Sequence, residues 1–310
     1  MRFIEKVRAV GILRSIKIVK DRAWRPFVSK YYKKKWDKYS KKKNYYGLNQ
    51  ADRADEIIVS LTTFPKRIGG IHYVIETLLM QSLKPDRIIL WLAKEQFPEK
   101  EQDLPDSLLN LKQYGLTISW CNDIRSYKKL IPTLTLYPEA LIITADDDMY
   151  YHSKMVERLY KAYKKNPHDI QCHRVTKFYI ENKEFKTSPG GYEIYSHASY
   201  LHKLTGGSGT CYPPHSLYKD ITNEELFMNL APTNDDIWFW LMAVKNKRRC
   251  NVVKKSCTAL YFVEGSQEES LNSINDKGEK LFWKQFRNIL EYYPDIEITL
   301  REEWKRESHK

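Results

Sequence analysis

Apolar and polar positions alternate differently in two parts of this chain. From residue 56 onward, short β-branched runs are separated by amphipathic stretches. Glu56–Phe64 (EIIVSLTTF), closed by Pro65, predicts a strand buried on both faces, as in a parallel sheet. Arg87–Ala93, Leu116–Cys121, Ala140–Thr144 and Ile170–Val175 predict four more strands. Between them, helical spacing covers Ile71–Met80 and Leu104–Tyr114, and Met155, Leu159 and Tyr163 extend it over Ser153–Lys164. Phe178–Lys186 predicts a hairpin with Asn182 and Lys183 at its turn. Ile237–Val244 is apolar on nearly every side, which predicts a buried helix. The alternation of strand and helix predicts an α/β fold with a largely parallel sheet flanked by helices.

The first part reads differently. Phe3, Val7, Val10 and Leu13 recur at helical spacing, with Arg2, Lys6, Arg8, Arg14 and Lys17 elsewhere on the wheel. Residues 21–46 interleave Trp24, Phe27, Tyr31, Tyr32, Trp36 and Tyr39 with lysines, and the polar stretch 47–55 reads as a linker. The expected division is a basic N-terminal helical extension over residues 1–50 and one catalytic domain over 51–310. Charge follows that division. The net charge is +13, and residues 1–46 hold 16 Lys and Arg against Glu5, Asp21 and Asp37, which accounts for all of it. The other 264 residues are balanced, so no basic surface for nucleic acid is expected on the body. Aromatics among lysines suit an anionic membrane surface, contacted in its plane. No run of about 18 apolar residues is present to span a bilayer, and no secretory signal is read. The five cysteines form no CxxC, so neither a zinc site nor a disulfide framework is expected, and reduced thiols suit a cytosol. The expected location is cytoplasmic, peripheral on the inner face of the membrane.

Candidate chemistry gathers at Asp146-Asp147-Asp148, directly after the apolar run Ala140–Thr144. Ligands of open α/β sheets bind beyond the carboxyl ends of strands. Three adjacent carboxylates repel one another unless a cation offsets them, and oxygen ligands suit Mg²⁺ or Mn²⁺ with substrate phosphates. In an extended segment Asp146 and Asp148 share one side. Asp235 and Asp236 precede the buried helix, where Thr233–Asp236 also matches a helix-capping pattern. One of the pair is the candidate general base, and the other reading is a cap. No Gly-rich phosphate loop follows the first strand.

Taken in order, SLTTFPKRI (Ser60–Ile68), YKKLIPTL (Tyr127–Leu134), TADDDMYY (Thr144–Tyr151), HRV (His173–Val175), GGSGTCYPP (Gly206–Pro214) and NDDIWFW (Asn234–Trp240) resemble the motifs of GT-A glycosyltransferases, in particular bacterial polysaccharide enzymes related to family 2. The resemblance spans residues 56–290. It implies a GT-A, Rossmann-like sheet, a nucleotide-sugar donor (a UDP-sugar foremost), a glycan or lipid-linked acceptor, and Mn²⁺ or Mg²⁺ as cofactor. It implies an inverting hexosyltransferase-type reaction that builds capsule or another surface glycan. Carried onto this chain, Asp146 and Asp148 hold metal, ribose or diphosphate beside Asp147. Thr62, Thr63 and Arg67 lie near the nucleoside, Asp123 accepts hydrogen bonds from the base, and Lys128 or Lys129 reaches the diphosphate or a carboxylate. Asp236, or else Asp235, activates the acceptor hydroxyl. His173 and Arg174 line the acceptor or diphosphate region, and the Gly206, Gly207, Ser208 loop approaches the substrate. Two other readings stand beside this one: a sugar nucleotidyltransferase, and a non-catalytic carbohydrate-binding or scaffolding protein.

Overall fold

A computed structural model describes residues 12–188, 197–254, 257, 260–266 and 279–308. The helical reading of residues 1–20 lies outside the described residues up to residue 11. Helix α1 (Ile12–Ser40) continues through the aromatic and basic stretch. After it come β1 (Ile57–Thr62), α2 (Ile71–Leu79), β2 (Arg87–Ala93), β3 (Leu116–Cys121), α3 (Ile131–Leu136), β4 (Leu141–Thr144), α4 (Met155–Lys165) and β5 (Ile170–Cys172). Strands β6 (Val175–Glu181), β7 (Glu184–Thr187), β8 (His202–Leu204) and β9 (Thr210–Tyr212) precede α5 (Glu224–Leu230), α6 (Asp235–Lys245), β10 (Cys250–Val252), α7 (Glu279–Tyr292) and α8 (Pro294–Ser308).

The main sheet has seven strands in the order β10-β5-β9-β4-β1-β2-β3. All neighbours are parallel except β9, which runs antiparallel between β4 and β5. This is the expected mixed, mainly parallel, Rossmann-like sheet flanked by helices. Within it, β1 is apolar at successive positions because both faces are covered. Ile58 belongs to the core shared with α6, α7 and α8, whereas Ile57, Val59 and Leu61 belong to the core shared with α1 and α2. A second, three-stranded antiparallel sheet has the order β7-β6-β8. Its β6–β7 turn uses Asn182 (φ 50) and Lys183 (φ 66), at the predicted place.

Two expectations change. Leu104–Tyr114 is not one helix: only Asp106–Leu109 is α-helical, and Asn110–Tyr114 continues as a 3₁₀ turn ending at Gly115. Ile170–Val175 is not one strand: Ile170–Cys172 is β5 of the main sheet and Val175 opens β6 of the small one, while Thr210–Tyr212, after the Gly-rich turn, inserts into the main sheet as β9.

Candidate functional site

A cavity of about 770 Å³ opens at the carboxyl ends of β1, β3 and β4. Strand ends there release their backbone groups from the ladder, so the following residues turn into the opening. Thr62, Thr63 and Arg67 come from the end of β1, Asp123 follows β3, and Asp146–Asp148 follow β4. Asp235 and Asp236 enter from the first turn of α6. That helix is held rigidly: every residue from Ile237 to Val244 is fully buried. Trp238 donates to the Ile221 carbonyl (3.1 Å) and Trp240 to the Tyr200 carbonyl (2.9 Å). Burial of each large apolar side chain contributes about 1.5–3 kcal/mol, so the two tryptophans are core residues that fix the start of α6.

The capping pattern resolves differently from its sequence form. Asn234 is the cap, and its side-chain oxygen accepts from the Ile237 amide at 3.1 Å. Thr233 instead bonds Gln285. Neither aspartate is consumed as the cap, and both face the cavity. The Asp236 carboxylate accepts the Gly206 amide at 3.1 and 3.2 Å. Desolvation and then the Asp235 charge raise its pKa to about 6, against the pull of Lys203 and Lys129. Asp235 takes a hydrogen bond from the Ser126 hydroxyl (2.9 Å) and pairs with Lys129 (2.9 Å).

Lys129 ties the two acidic groups together. Its ammonium lies 2.7 Å from Asp146 and 2.9 Å from Asp235. Burial opposes its charge, but Asp146, Asp235 and Asp236 together raise its pKa well above the ordinary lysine value. Arg67 does the same on the other side of the aspartate run, 2.5 Å from Asp147 and 3.3 Å from Asp148. Thr63 donates to Asp147 at 2.6 Å. Burial still raises Asp147 in spite of Arg67 and Thr63. Residues 147 and 148 form a turn rather than extended chain, so Arg67 draws Asp147 and Asp148 to one side while Asp146 faces Lys129. Tyr151 supports this turn: its buried hydroxyl accepts the Asp146 amide (2.7 Å) and donates to the Gly207 carbonyl (3.2 Å). Gly207 sits so close that a Cβ there would lie 3.0 Å from Asp146, and one at Gly206 would lie 3.0 Å from Asp236. A side chain at either position would have to push the facing carboxylate aside by a few tenths of an ångström.

Farther out, Asp123 accepts from Lys128 (2.6 Å), the Arg125 amide (3.0 Å) and Gln96 (2.7 Å). Burial raises its pKa, but these donors outweigh burial and leave it below the ordinary value. Thr62 donates to the Trp91 carbonyl at 2.8 Å. Thus Thr62, Thr63, Arg67, Asp123, Lys128, Lys129, Asp146, Asp147, Asp148, Arg174, Gly207, Asp235 and Asp236 all line one cavity. Three expected residues do not. His173 is fully buried, contacts the Met155 carbonyl (3.1 Å) and accepts the Cys257 amide (2.9 Å), and burial pushes its pKa down to about 4. Ser208 is buried in the turn, and Gly206 meets the cavity only through its bond to Asp236. The cavity also holds residues that the pattern reading missed: Phe64, Gln96, Ser126, Lys203, Thr205 and, from α7, Phe282 and Trp283. Lys203 had no sequence signal, because a lysine in a strand reads as solvent-facing until its neighbours are known.

No protein-family profile matches the chain, and no curated protein matches it. Similar solved structures include the mannosyltransferase PcManGT from Pyrobaculum calidifontis in complex with GDP-Man and Mn²⁺, with 11% identity, 90% of this chain and 76% of that chain covered, and a TM-score of 0.48. S. aureus TarS in complex with UDP-GlcNAc shows 12% identity over 76% of this chain and 66% of that chain, with a TM-score of 0.48. The inositol-1-phosphate CTP transferase from T. maritima shows 13% identity over 76% of this chain and 98% of that chain, with a TM-score of 0.41.

Proposed function

We propose that this chain is a metal-dependent, inverting glycosyltransferase of the hexosyltransferase type. It moves a sugar from a nucleotide donor, a UDP-sugar foremost, to a glycan or lipid-linked acceptor during surface polysaccharide synthesis. The observation that carries this reading is that Asp146, Asp148 and Asp236 face one cavity at the strand ends. Six cationic side chains there face six carboxylates, so the wall is balanced. A balanced wall suits a donor diphosphate whose charge is offset by a divalent cation. Among the described residues, no three His, Cys, Asp or Glu side chains form a cluster that holds an ion alone. Mg²⁺ and Mn²⁺ nevertheless take one or two carboxylates and complete their shell with water and substrate phosphate. Asp146 and Asp148 both line the cavity and would each have to exchange a cation contact, with Lys129 and Arg67, to hold such an ion, which would supply charge neutralisation of the leaving diphosphate.

The remaining chemistry falls to this chain's own groups. Asp236, ionised, takes the proton of an acceptor hydroxyl. That oxygen attacks the anomeric carbon from the face opposite the diphosphate. The C–O bond to the diphosphate breaks, its electron pair stays with the phosphate oxygen, and configuration inverts. Arg67 and Lys129 hold positive charge beside the aspartates, and Phe64 and Phe262 help to exclude water.

Helix α1 supports the proposed location at an anionic membrane. Trp24, Phe27 and Tyr31 form an exposed cluster, with Trp24 ring centroids 6.1 Å from Phe27 and 5.8 Å from Tyr31. The same helix carries exposed Arg25, Lys30, Lys34 and Lys38, and each adds about 1 kcal/mol near an anionic leaflet. No described helix is long and apolar enough to cross a membrane.

The test incubates the protein with Mn²⁺ and a panel of nucleotide sugars and follows nucleoside diphosphate release. Release that Asp148→Ala abolishes without loss of fold is expected. Consumption of a nucleoside triphosphate with pyrophosphate release replaces this reading with nucleotidyl transfer. Glycan assembly retained with Asp146→Ala, Asp148→Ala and Asp236→Asn together replaces it with a binding role.

A further inference from the structure

The small sheet carries a second feature that the donor chemistry does not use. Strands β6 and β8 pair with Thr176 opposite Lys203 and Val175 opposite Leu204. The ladder extends to Arg174, whose carbonyl accepts the Thr205 amide (3.4 Å) and hydroxyl (3.2 Å). Directly opposed residues of an antiparallel pair share a face, and so do residues two apart. Arg174, Thr176, Lys203 and Thr205 therefore form a square on one face, with the two cations on its diagonal. All four line the cavity. Thr187 of β7 pairs with Phe178, two residues beyond Thr176, and joins the same face.

Lys203 is the telling member. Its side chain is buried, with the residue only 7% exposed. Among the described residues its one hydrogen bond is to the Leu204 carbonyl, at 3.3 Å. On the opposite face of the same ladder, Lys177 reaches Glu307 at 2.9 Å, which is the usual arrangement for a half-buried ammonium. A buried ammonium without a carboxylate partner is unfavourable unless a ligand supplies the anion. The acids nearest by charge are already engaged, Asp235 by Lys129 and Ser126 and Asp236 by the Gly206 amide. The square adjoins the candidate base within the same cavity. Thr205 runs directly into Gly206, which holds Asp236, whereas Arg67 and Thr63 come from the end of β1.

We propose that the acceptor carries a negative group, a carboxylate or a phosphate, which Lys203 and Arg174 hold while Asp236 addresses a neighbouring hydroxyl. This rests on the glycosyl-transfer reading. Threonine hydroxyls at 176, 187 and 205 supply additional donors around the anion. Trp283 and Thr187 also line a second depression that continues over Phe286 and Arg287, so an acceptor longer than one unit has a path outward.

The test is titration of the full chain with glucuronate, glycerol phosphate and glucose, with and without UDP, by saturation-transfer NMR. At least one anion is expected to bind tenfold or more tightly than glucose, to persist with UDP present, and to fall to the glucose level in Lys203→Gln. Glucuronate ahead of glycerol phosphate assigns a carboxylate; the reverse order assigns a phosphate. Glucose binding as well as both anions overturns the proposal, and so does displacement of the anion by UDP. These two arms use the unaltered chain and need no variant to fold. An unchanged anion affinity in a folded Lys203→Gln also overturns it. Anion binding without diphosphate release from any donor sinks glycosyl transfer and leaves the anion site standing. Release with no anion preference does the opposite.

Discussion

Lys129 is where site and stability meet, and Lys129→Met isolates its charge at similar volume. The ammonium is 6% exposed as a residue and sits between Asp146 and Asp235 at 2.7 and 2.9 Å. Removing one partner of a buried pair leaves an uncompensated charge and costs about 3–5 kcal/mol. Asp235, with a side chain 7% exposed, carries that penalty in full, whereas Asp146, at 31%, is partly screened by solvent. The expected loss is therefore near the lower bound, about 3 kcal/mol. In a chain of 310 residues that lowers the Tm by roughly 4–5 °C. The assay is thermal unfolding by circular dichroism, with Lys112→Met as control. Lys112 pairs with Glu101 at 2.7 Å, but both side chains are about half exposed, so its loss is expected to stay under about 1 kcal/mol. The sign with pH is definite. The folded pKa of Lys129 is raised, so its contribution is fully present at neutral pH and is lost only at strongly alkaline pH. In the variant, acid relieves the repulsion by protonating the carboxylates, so the gap to the parent narrows as pH falls. A Lys129→Met Tm no lower than that of Lys112→Met would refute the reasoning, and so would a gap that widens in acid.

Other expectations follow from the same geometry. Asp236→Asn is expected to lower transfer about 10²–10⁴-fold while nucleoside diphosphate binding, followed by calorimetry, persists. In the parent, transfer rises with pH through about 6 and then levels, because the base must be ionised. Since the folded pKa of Asp236 is raised, its ionised form opposes folding above that pH, and Asp236→Asn raises the Tm at pH 8 with the gain fading towards pH 4. Tyr151→Phe leaves the Asp146 amide without its acceptor and is expected to cost about 1–3 kcal/mol in urea unfolding. On α1, Trp36→Ala is expected to destabilise by about 3–5 kcal/mol because Trp36 is buried against the body. Trp24→Ser with Phe27→Ser leaves the Tm within about 2 °C and releases the chain from anionic vesicles in a sedimentation assay.

What the sequence revealed and what it hid have physical causes. β1 and β2 were legible because parallel strands buried on both faces are nearly continuous apolar runs, and the half-buried edge strand β3 because Leu116, Ile118 and Trp120 alternate with Thr117 and Ser119. The β6–β7 hairpin was legible because Asn182 and Lys183 supply the left-handed backbone that a tight turn requires. β9 was hidden in a Gly-rich segment, since three residues inserted antiparallel between β4 and β5 leave no periodicity to read. The predicted helix over Leu104–Tyr114 broke into turns although its apolar spacing was sound, because Leu104 is held in a short turn before Pro105 and only one α-helical turn follows. The acidic site residues were visible as clusters at a strand end and a helix start. Of the cations that match them, Arg67 and Lys129 were named through the resemblance, whereas Lys203 carried no signal and only the fold brings it to the same wall.

Charge ties these features together. A cluster of six carboxylates in one cavity is untenable without compensation, and the chain supplies it with side chains rather than leaving it wholly to a bound ion. Arg67 balances Asp147 and Asp148, Lys129 balances Asp146 and Asp235, and Lys128 balances Asp123. Asp236 and Lys203 also line this wall, and no ion pair joins them among the described residues. Burial disfavours the ionised form of each, raising the aspartate pKa and lowering that of the lysine. An acceptor that brings a hydroxyl to the first and an anion to the second relieves both. On the proposed reading the cavity is more nearly complete with acceptor bound than without it, and the same two side chains would set where transfer occurs and which acceptors reach it.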